Sequence, residues 1–134
     1  MPKLLLAAFA LLLLNSPAFS HSKVSGSMPE NGATVEEALE EGVLKFERKA
    51  RLPVVDVHAA PDGVTLDALM AHKGDAPIDG MEIIELASKL PKGFVDAATV
   101  GFSPLDTGVF QLSWIAIAQD GHVMEGDVYF AVSE

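Results

Sequence analysis

Three residues could bind one metal ion together: His21, Asp120 and His122. His21 directly follows a segment that reads as a cleavage site, so cleavage after Ser20 would expose its α-amine beside its imidazole. Two nitrogens on one residue can close a chelate ring on an ion. Both kinds of group ordinarily titrate near neutral pH, so a metal ion needs to displace few protons to bind them.

Asp120 and His122 would add an oxygen and another imidazole nitrogen. They stand two positions apart, and in extended backbone such residues project from the same face. The chain has no cysteine, so a metal site must use nitrogen, oxygen or thioether ligands. Three nitrogens and one oxygen suit Cu(II) in a tetragonal field, and Cu(II) has the highest affinity in the divalent series. The alternative is that Asp-Gly-His is only a hairpin turn and that a histidine after the cleavage site is coincidental.

Residues 1–20 read as a secretory signal peptide. Lys3 precedes an apolar run over residues 4–14, and small residues at Ala18 and Ser20 form the cleavage pattern. The run is shorter than the roughly 20 residues that span a bilayer, although an uncleaved membrane anchor is the alternative. We therefore predict a mature chain, residues 21–134, that lies outside the cytoplasm and does not span the membrane.

The mature chain is long enough for one domain with one core. The sequence carries 19 Asp and Glu against 9 Lys and Arg, a formal net charge of -10. This balance argues against nucleic acid as a partner, because affinity for phosphates rests on Lys and Arg. An acidic surface favours cations, and it is also typical of a soluble secreted protein.

Short β-strands account for most of the mature sequence. Apolar and polar residues alternate within several runs, as expected for strands with one buried face. The clearest pair is separated by Gln-Asp-Gly, which predicts a hairpin because Asp and Gly tolerate the positive φ of tight turns. The predicted strand segments are residues 42–47, 52–58, 81–87, 108–118 and 122–132.

Helix is indicated only over residues 34–42. There Thr34 and Glu37 stand at capping-box spacing, and the helix would be no longer than one turn. Short strands separated by turn residues predict an all-β, antiparallel β-sandwich.

Two stretches of the sequence resemble the copper resistance protein C (CopC) family. HSKVSGSMPENGATV at residues 21–35 is similar to the family's N-terminal His strand and Pro-x-x-Gly turn. LDTGVFQLSWIAIAQDGHVMEGDVYFAV at residues 105–132 is similar to its Trp strand, Asp-x-His turn and glycine-containing last strand. VLKFERKARLPVVDVHAAPDG, residues 43–63, is a looser match.

The resemblance implies a Greek-key antiparallel β-sandwich of about seven strands that binds copper in the periplasm. It implies that Cu(II) is held by the amine and imidazole of His21 and by Asp120 and His122. It does not imply an enzyme. We expect a monomer that sequesters copper or delivers it to an inner-membrane transporter similar to CopD.

A second copper site is predicted to be weak or absent. Some members of the family bind Cu(I) in a methionine-dense loop, which corresponds here to residues 57–82. Apart from His58, this stretch holds only Met70, His72 and Met81 as candidate ligands. Cu(I) prefers soft thioethers, and scattered methionines more often fill a core.

Two further features have structural interpretations. Asp56 and His58 repeat the spacing of Asp120 and His122, and we expect them on the solvent face of a strand, opposite Val55 and Val57. Trp114 is expected in the core, with shielding of the copper site as a secondary role.

Two other classes of function remain open at this point. An N-terminal His with a second His is also the copper-binding arrangement of polysaccharide monooxygenases, although one Trp and one Tyr offer little for a sugar-binding face. A metal-free sandwich that acts as an interaction module is the other class.

Overall fold

The computed structural model describes residues 24–72 and 78–133. The predicted signal peptide and His21 lie outside the described residues.

Seven strands and one short helix make up this part of the chain. The strands are β1 (Val24–Met28), β2 (Ala33–Val35), β3 (Leu39–Ala59), β4 (Glu82–Ile84), β5 (Val95–Leu105), β6 (Gly108–Ala118) and β7 (Val123–Val132), and the helix is α1 (Leu66–Ala71). The predicted all-β class and strand number are confirmed, as is the hairpin of β6 and β7.

The long strand β3 belongs to both layers of the sandwich. Its first half pairs with β1 and β5, and its second half pairs with β6 and β4. β5 and β6 both pair with Ala50, so they lie on opposite edges of β3. β1 also lies on the edge opposite β5, because both strands pair with Lys45. β1 and β6 therefore follow one another along the same edge of β3. Register shifts on either side of Ala50 mark the bend between the halves.

The core lies between the inner faces of the two layers. In β6 every second residue from Phe110 to Ala118 is buried, and Val128, Phe130 and Val132 of β7 face the same way. Each fully buried Leu, Val or Phe stabilises the fold by roughly 1.5–3 kcal/mol. The core comprises Leu44, Phe46, Ala50, Leu52, Val55, Val57, Ala98, Val100, Phe102, Leu105, Phe110, Leu112, Trp114, Ala116, Val128, Phe130 and Val132.

The prediction of a helix within residues 34–42 is wrong. Residues 33–35 instead form β2, which pairs with the end of β7 in the parallel direction, and β3 begins at Leu39. Tertiary pairing therefore overrides the capping-box spacing. The helix that does form is α1, where Thr65 accepts a hydrogen bond from the amide of Ala68 at 3.1 Å as its N-cap.

No helix among the described residues is long and apolar enough to cross a membrane.

Candidate metal centre

A tight turn joins β6 to β7 and carries the predicted ligand pair. The amide of Gly121 donates to the carbonyl of Ala118 at 2.9 Å, and the amide of Ala118 donates to the carbonyl of His122 at 2.8 Å. Gly121 has a φ of 91°, a conformation that glycine adopts without strain. Asp120 has a negative φ, so of the two turn residues that tolerate a positive φ only the glycine adopts it.

Asp120 and His122 are in direct contact within this turn. One carboxylate oxygen of Asp120 accepts the backbone N–H of His122 at 3.1 Å, and the other lies 2.8 Å from its Nδ1. The side chains are 46% and 60% exposed respectively, so an ion in solution can reach them. The pair therefore offers an oxygen and an imidazole at one accessible point.

The contact has a different origin from the one that the sequence suggested. The two residues are not neighbours on one face of an extended strand, because Asp120 lies in the turn and His122 precedes the first residue of β7. An aspartate that accepts the amide two residues later forms an Asx-turn. The sequence signal for this arrangement was Asp followed by Gly at the tip of the hairpin.

Strand register brings the beginning of β1 toward the same end of the molecule. Val24 is opposite Phe46 of β3, whereas Ala118 is opposite Ala50 on the same edge of that strand. Since β1 runs antiparallel to β3, its first residue is the one nearest to Ala118. The first described residue, three positions after His21, therefore lies on the side of the Asp120–His122 turn.

Trp114 is a core residue beside this end of the sandwich. It is 7% exposed, and its ring meets Phe46 edge to face with centroids 6.5 Å apart. The indole lies across Gly126 of β7, where a Cβ would come within 2.6 Å of Cζ2. The expected core role is confirmed, and Gly126 is the residue that makes room for it.

Asp56 and His58 lie on the outer face of β3, opposite the buried Val55 and Val57. This is the face predicted for them. Asp56 pairs with Ser113 of β6, and His58 pairs with Gln111.

A hydrogen-bonded network occupies the neighbouring positions on this face. The hydroxyl of Ser113 donates to the carboxylate of Asp127 at 2.5 Å. The side-chain amide of Gln111 donates to Asp127 at 3.1 Å and to the hydroxyl of Tyr129 at 3.5 Å. Burial, and secondarily the negative charge of Asp127, raises the pKa of Tyr129. These bonds connect strands β6 and β7.

The candidate Cu(I) ligands lie around α1 and β4. Met70 is half-buried and packs against the turn at Gly32, with its methyl carbon 3.5 Å from the position of a Cβ there. His72 is the C-cap of α1, where its amide donates to the carbonyls of Ala68 and Leu69. Met81 is half-buried immediately before β4.

The donor types at the turn fit copper, but the pair is only part of a site. Within residues 24–72 and 78–133, no group of three or more His, Asp or Glu side chains could hold a metal ion. A third His, Asp or Glu ligand, such as His21, would have to come from outside those residues.

The described residues thus form a small β-sandwich with an exposed carboxylate–imidazole pair on a hairpin. The CopC domain family matches residues 24–133, and the chain belongs to this family. The resemblance seen in the sequence is therefore confirmed. Family membership, together with the structural neighbours, supports a copper-related function.

Two solved structures share the fold at low sequence identity. PcoC, a methionine-rich copper resistance protein from Escherichia coli, is 18% identical with a TM-score of 0.60, over 85% of this chain and 100% of its own. CopC from Methylosinus trichosporium OB3b is 15% identical with a TM-score of 0.56, over 84% of this chain and 94% of its own. No curated protein sequence is significantly similar to the chain.

Proposed function

We propose that this protein is a periplasmic copper carrier whose mature chain binds one Cu(II) through the amine and imidazole of His21 and through Asp120 and His122. It sequesters copper or delivers it to an inner-membrane transporter of the CopD type. It acts as a monomer and performs no catalysis. Cleavage of residues 1–20 creates the ligand at His21.

The observation that carries this proposal is the contact between Asp120 and His122. Their 2.8 Å approach and their exposure present two donors of the kind that Cu(II) prefers, at one point of a short turn. The backbone bonds of the turn keep the two residues adjacent, so copper binding has to order only their exposed side chains. Preorganised donors of this kind favour affinity.

The strand register supports His21 as the further ligand. Phe46 and Ala50 are four positions apart, which is about 13 Å along an extended strand. The three residues from Val24 back to His21 can span at most about 10 Å. Because Val24 lies opposite Phe46 and Ala118 opposite Ala50, this reach is comparable to the distance that the ligand has to cover.

The first experiment establishes the N-terminus of the secreted protein by mass spectrometry and then lengthens it. A variant with one residue added before His21 converts the α-amine into a peptide amide, which is a poor ligand near neutral pH. We expect this variant to fold normally, since chain ends tolerate additions, and to bind Cu(II) much more weakly. The matched control adds one residue after Glu134.

Copper competition and thermal melting are measured on both variants. Electron paramagnetic resonance of the parent should show nitrogen coordination in a tetragonal site. Acid should release the copper as the amine and imidazoles become protonated. Equal Cu(II) affinity in two equally folded variants would remove the amine from the site.

A further inference from the structure

Within the described residues of this acidic protein, the positive charges lie in two short stretches. Among the described residues, every Lys and Arg lies either at 45–51 or at 89–92. The complete chain has a formal net charge of -10, so most of its surface repels anions. The basic side chains of the described residues are Lys45, Arg48, Lys49, Arg51, Lys89 and Lys92, and all of them are exposed.

Pairing around Ala50 brings part of these two stretches together. Ala50 is opposite Val95 at the start of β5, so the segment that precedes β5 lies beside the bend of β3. Arg48, Lys49 and Arg51 flank Ala50, and Lys92 comes three residues before Val95. We call Arg48, Lys49, Arg51 and Lys92, together with Phe94, the basic end.

An exposed aromatic ring lies within the basic end. Phe94 is 42% exposed, although it is a large apolar side chain. The guanidinium carbon of Arg51 lies 5.7 Å from the centre of its ring, within the range of a cation–π contact. The ring and the cation are thus presented together to solvent.

The local charge remains positive after the neighbouring acids are included. Residues 47–51 and 92–96 also contain Glu47 and Asp96, and Asp120 lies two residues after Ala118, which is opposite Ala50, so four positive and three negative side chains leave a local charge of +1. At physiological ionic strength the Debye length is about 8 Å. A surface that touches the basic end therefore senses these residues more strongly than the acids on the far side of the sandwich.

We propose that the basic end docks reversibly on an anionic lipid surface. Clustered Lys and Arg bind anionic headgroups, and an exposed aromatic side chain is suited to the interface between headgroup and acyl chain. An acidic protein would also pair with the Lys and Arg side chains, but it would not offer Phe94 an apolar region like that of a lipid surface. A second copy of this chain is disfavoured because two molecules of net charge -10 repel each other.

Docking would also orient the copper-binding turn. Ala50 is opposite Ala118 as well as Val95, and Asp120 follows Ala118 by two residues. The basic end and the turn therefore both lie beside Ala50, on opposite edges of β3, and docking would hold the turn near the lipid. This benefit rests on the proposed function, whereas the lipid binding itself does not require copper.

The test measures co-sedimentation of the copper-free protein with vesicles of phosphatidylcholine, with and without phosphatidylglycerol. We expect binding only when phosphatidylglycerol is present, and weaker binding as salt is raised. Lys49→Gln should weaken binding about fivefold, the usual contribution of one basic residue near an anionic surface. Lys89→Gln removes the same charge outside the basic end and should have a smaller effect.

A second pair of variants tests the aromatic contribution. Phe94→Ala should reduce vesicle binding, whereas Ile83→Ala, at another exposed apolar residue, should not. Circular dichroism and thermal melting of each variant establish that it is folded. Loss of binding in a folded Phe94→Ala variant supports insertion of the ring.

Three results would overturn the proposal. The first is equal binding to vesicles with and without phosphatidylglycerol. The second is an equal loss of vesicle binding in Lys49→Gln and Lys89→Gln, or no loss of binding in either variant. The third is binding to soluble polyglutamate but not to anionic vesicles, which would assign the basic end to an acidic protein partner. Copper affinity is measured separately by competition, so a failed lipid test leaves the proposed copper site unaffected and the reverse also holds.

Discussion

The chain contains the pattern Asp-x-His twice, and the two copies have different surroundings. Asp120 and His122 lie at a hairpin turn, and their side chains are 2.8 Å apart. Asp56 and His58 lie within β3, where each is opposite a residue of β6. The same spacing therefore gives an exposed carboxylate–imidazole contact at the hairpin turn, but only two positions on the outer face of the sheet in β3.

The backbone accounts for this difference. In a strand, residues i and i+2 share a face but stand nearly two residue rises apart, roughly 6–7 Å. A turn shortens that separation, and the hydrogen bond that the amide of His122 donates to Asp120 holds the carboxylate beside the imidazole. Ligand spacing in a sequence thus indicates a metal site only when the backbone conformation is taken into account.

The largest expected effect separates the two histidines. His122→Ala should weaken Cu(II) binding by more than about 100-fold, because loss of a ligand should exceed the 10–100-fold cost of losing an outer-shell partner. His58→Ala should leave Cu(II) affinity and the electron paramagnetic resonance spectrum unchanged. Competition titrations on both variants make the comparison.

The opposite result for the two histidines would mean that the copper site lies on β3. Unchanged affinity and spectrum in His122→Ala would contradict the assignment, and a loss in His58→Ala would favour Asp56 and His58 as ligands. Thermal melting of both variants controls for loss of fold.

The two aspartates provide the next largest effect. Asp120→Asn should weaken Cu(II) binding about 10–100-fold, since the carboxylate either binds the ion or orients His122. Asp56→Asn removes the same charge from the outer face and should change the affinity far less. Equal losses would mean that Asp120 acts only through the net charge of the surface.

Much of this fold could be predicted from the sequence, and the failures have a common cause. The hairpin of β6 and β7 was predicted because its turn residues and alternation are local signals. The 21-residue strand β3 was not, since its bend depends on neighbours that are distant in sequence. Thr34 and Glu37 suggested a helix that pairing of residues 33–35 with β7 prevents.

The candidate site was predictable only in part for the same reason. Ligand types at Asp120 and His122 could be read directly, but their contact required the turn geometry. The position of Val24 relative to Ala118 follows from register along one edge of β3, which no local pattern specifies. The basic end is likewise formed by a pairing at Ala50 between segments over 40 residues apart.

A smaller effect is expected in the region of Met70, His72 and Met81. These residues belong to α1, its cap and the approach to β4, and Met70 packs against Gly32. We expect no tight Cu(I) binding there, because two methionines supply too few soft ligands. Replacing all three should leave competition with a Cu(I) chelator unchanged. Tight Cu(I) binding in the parent that is lost in the triple variant would show that a second site exists.

The smallest expected effect concerns Tyr129, next to the strand positions of Gln111 and His58. Burial raises the pKa of Tyr129 above its ordinary value of 10.0, and the charge of Asp127 raises it further. The chain has a single tyrosine, so its ionisation can be followed by ultraviolet absorbance. We expect a titration midpoint above 10.0 in the folded protein, and a lower midpoint in Asp127→Asn that still exceeds that of the unfolded chain.

The same shift determines how stability depends on alkaline pH. The unfolded chain loses the phenolic proton first, so the contribution of Tyr129 to the free energy of unfolding is complete below pH 10.0. It is lost as the pH rises through the raised, folded-state pKa. The difference in free energy of unfolding between the parent and Tyr129→Phe should therefore be constant below pH 10.0 and change only in alkaline solution, where the parent becomes less stable. A Tyr129 that titrates like a free tyrosine in the folded protein would mean that the outer-face network is open to water, and Asp56 and His58 would then be more accessible to ions than their strand positions indicate.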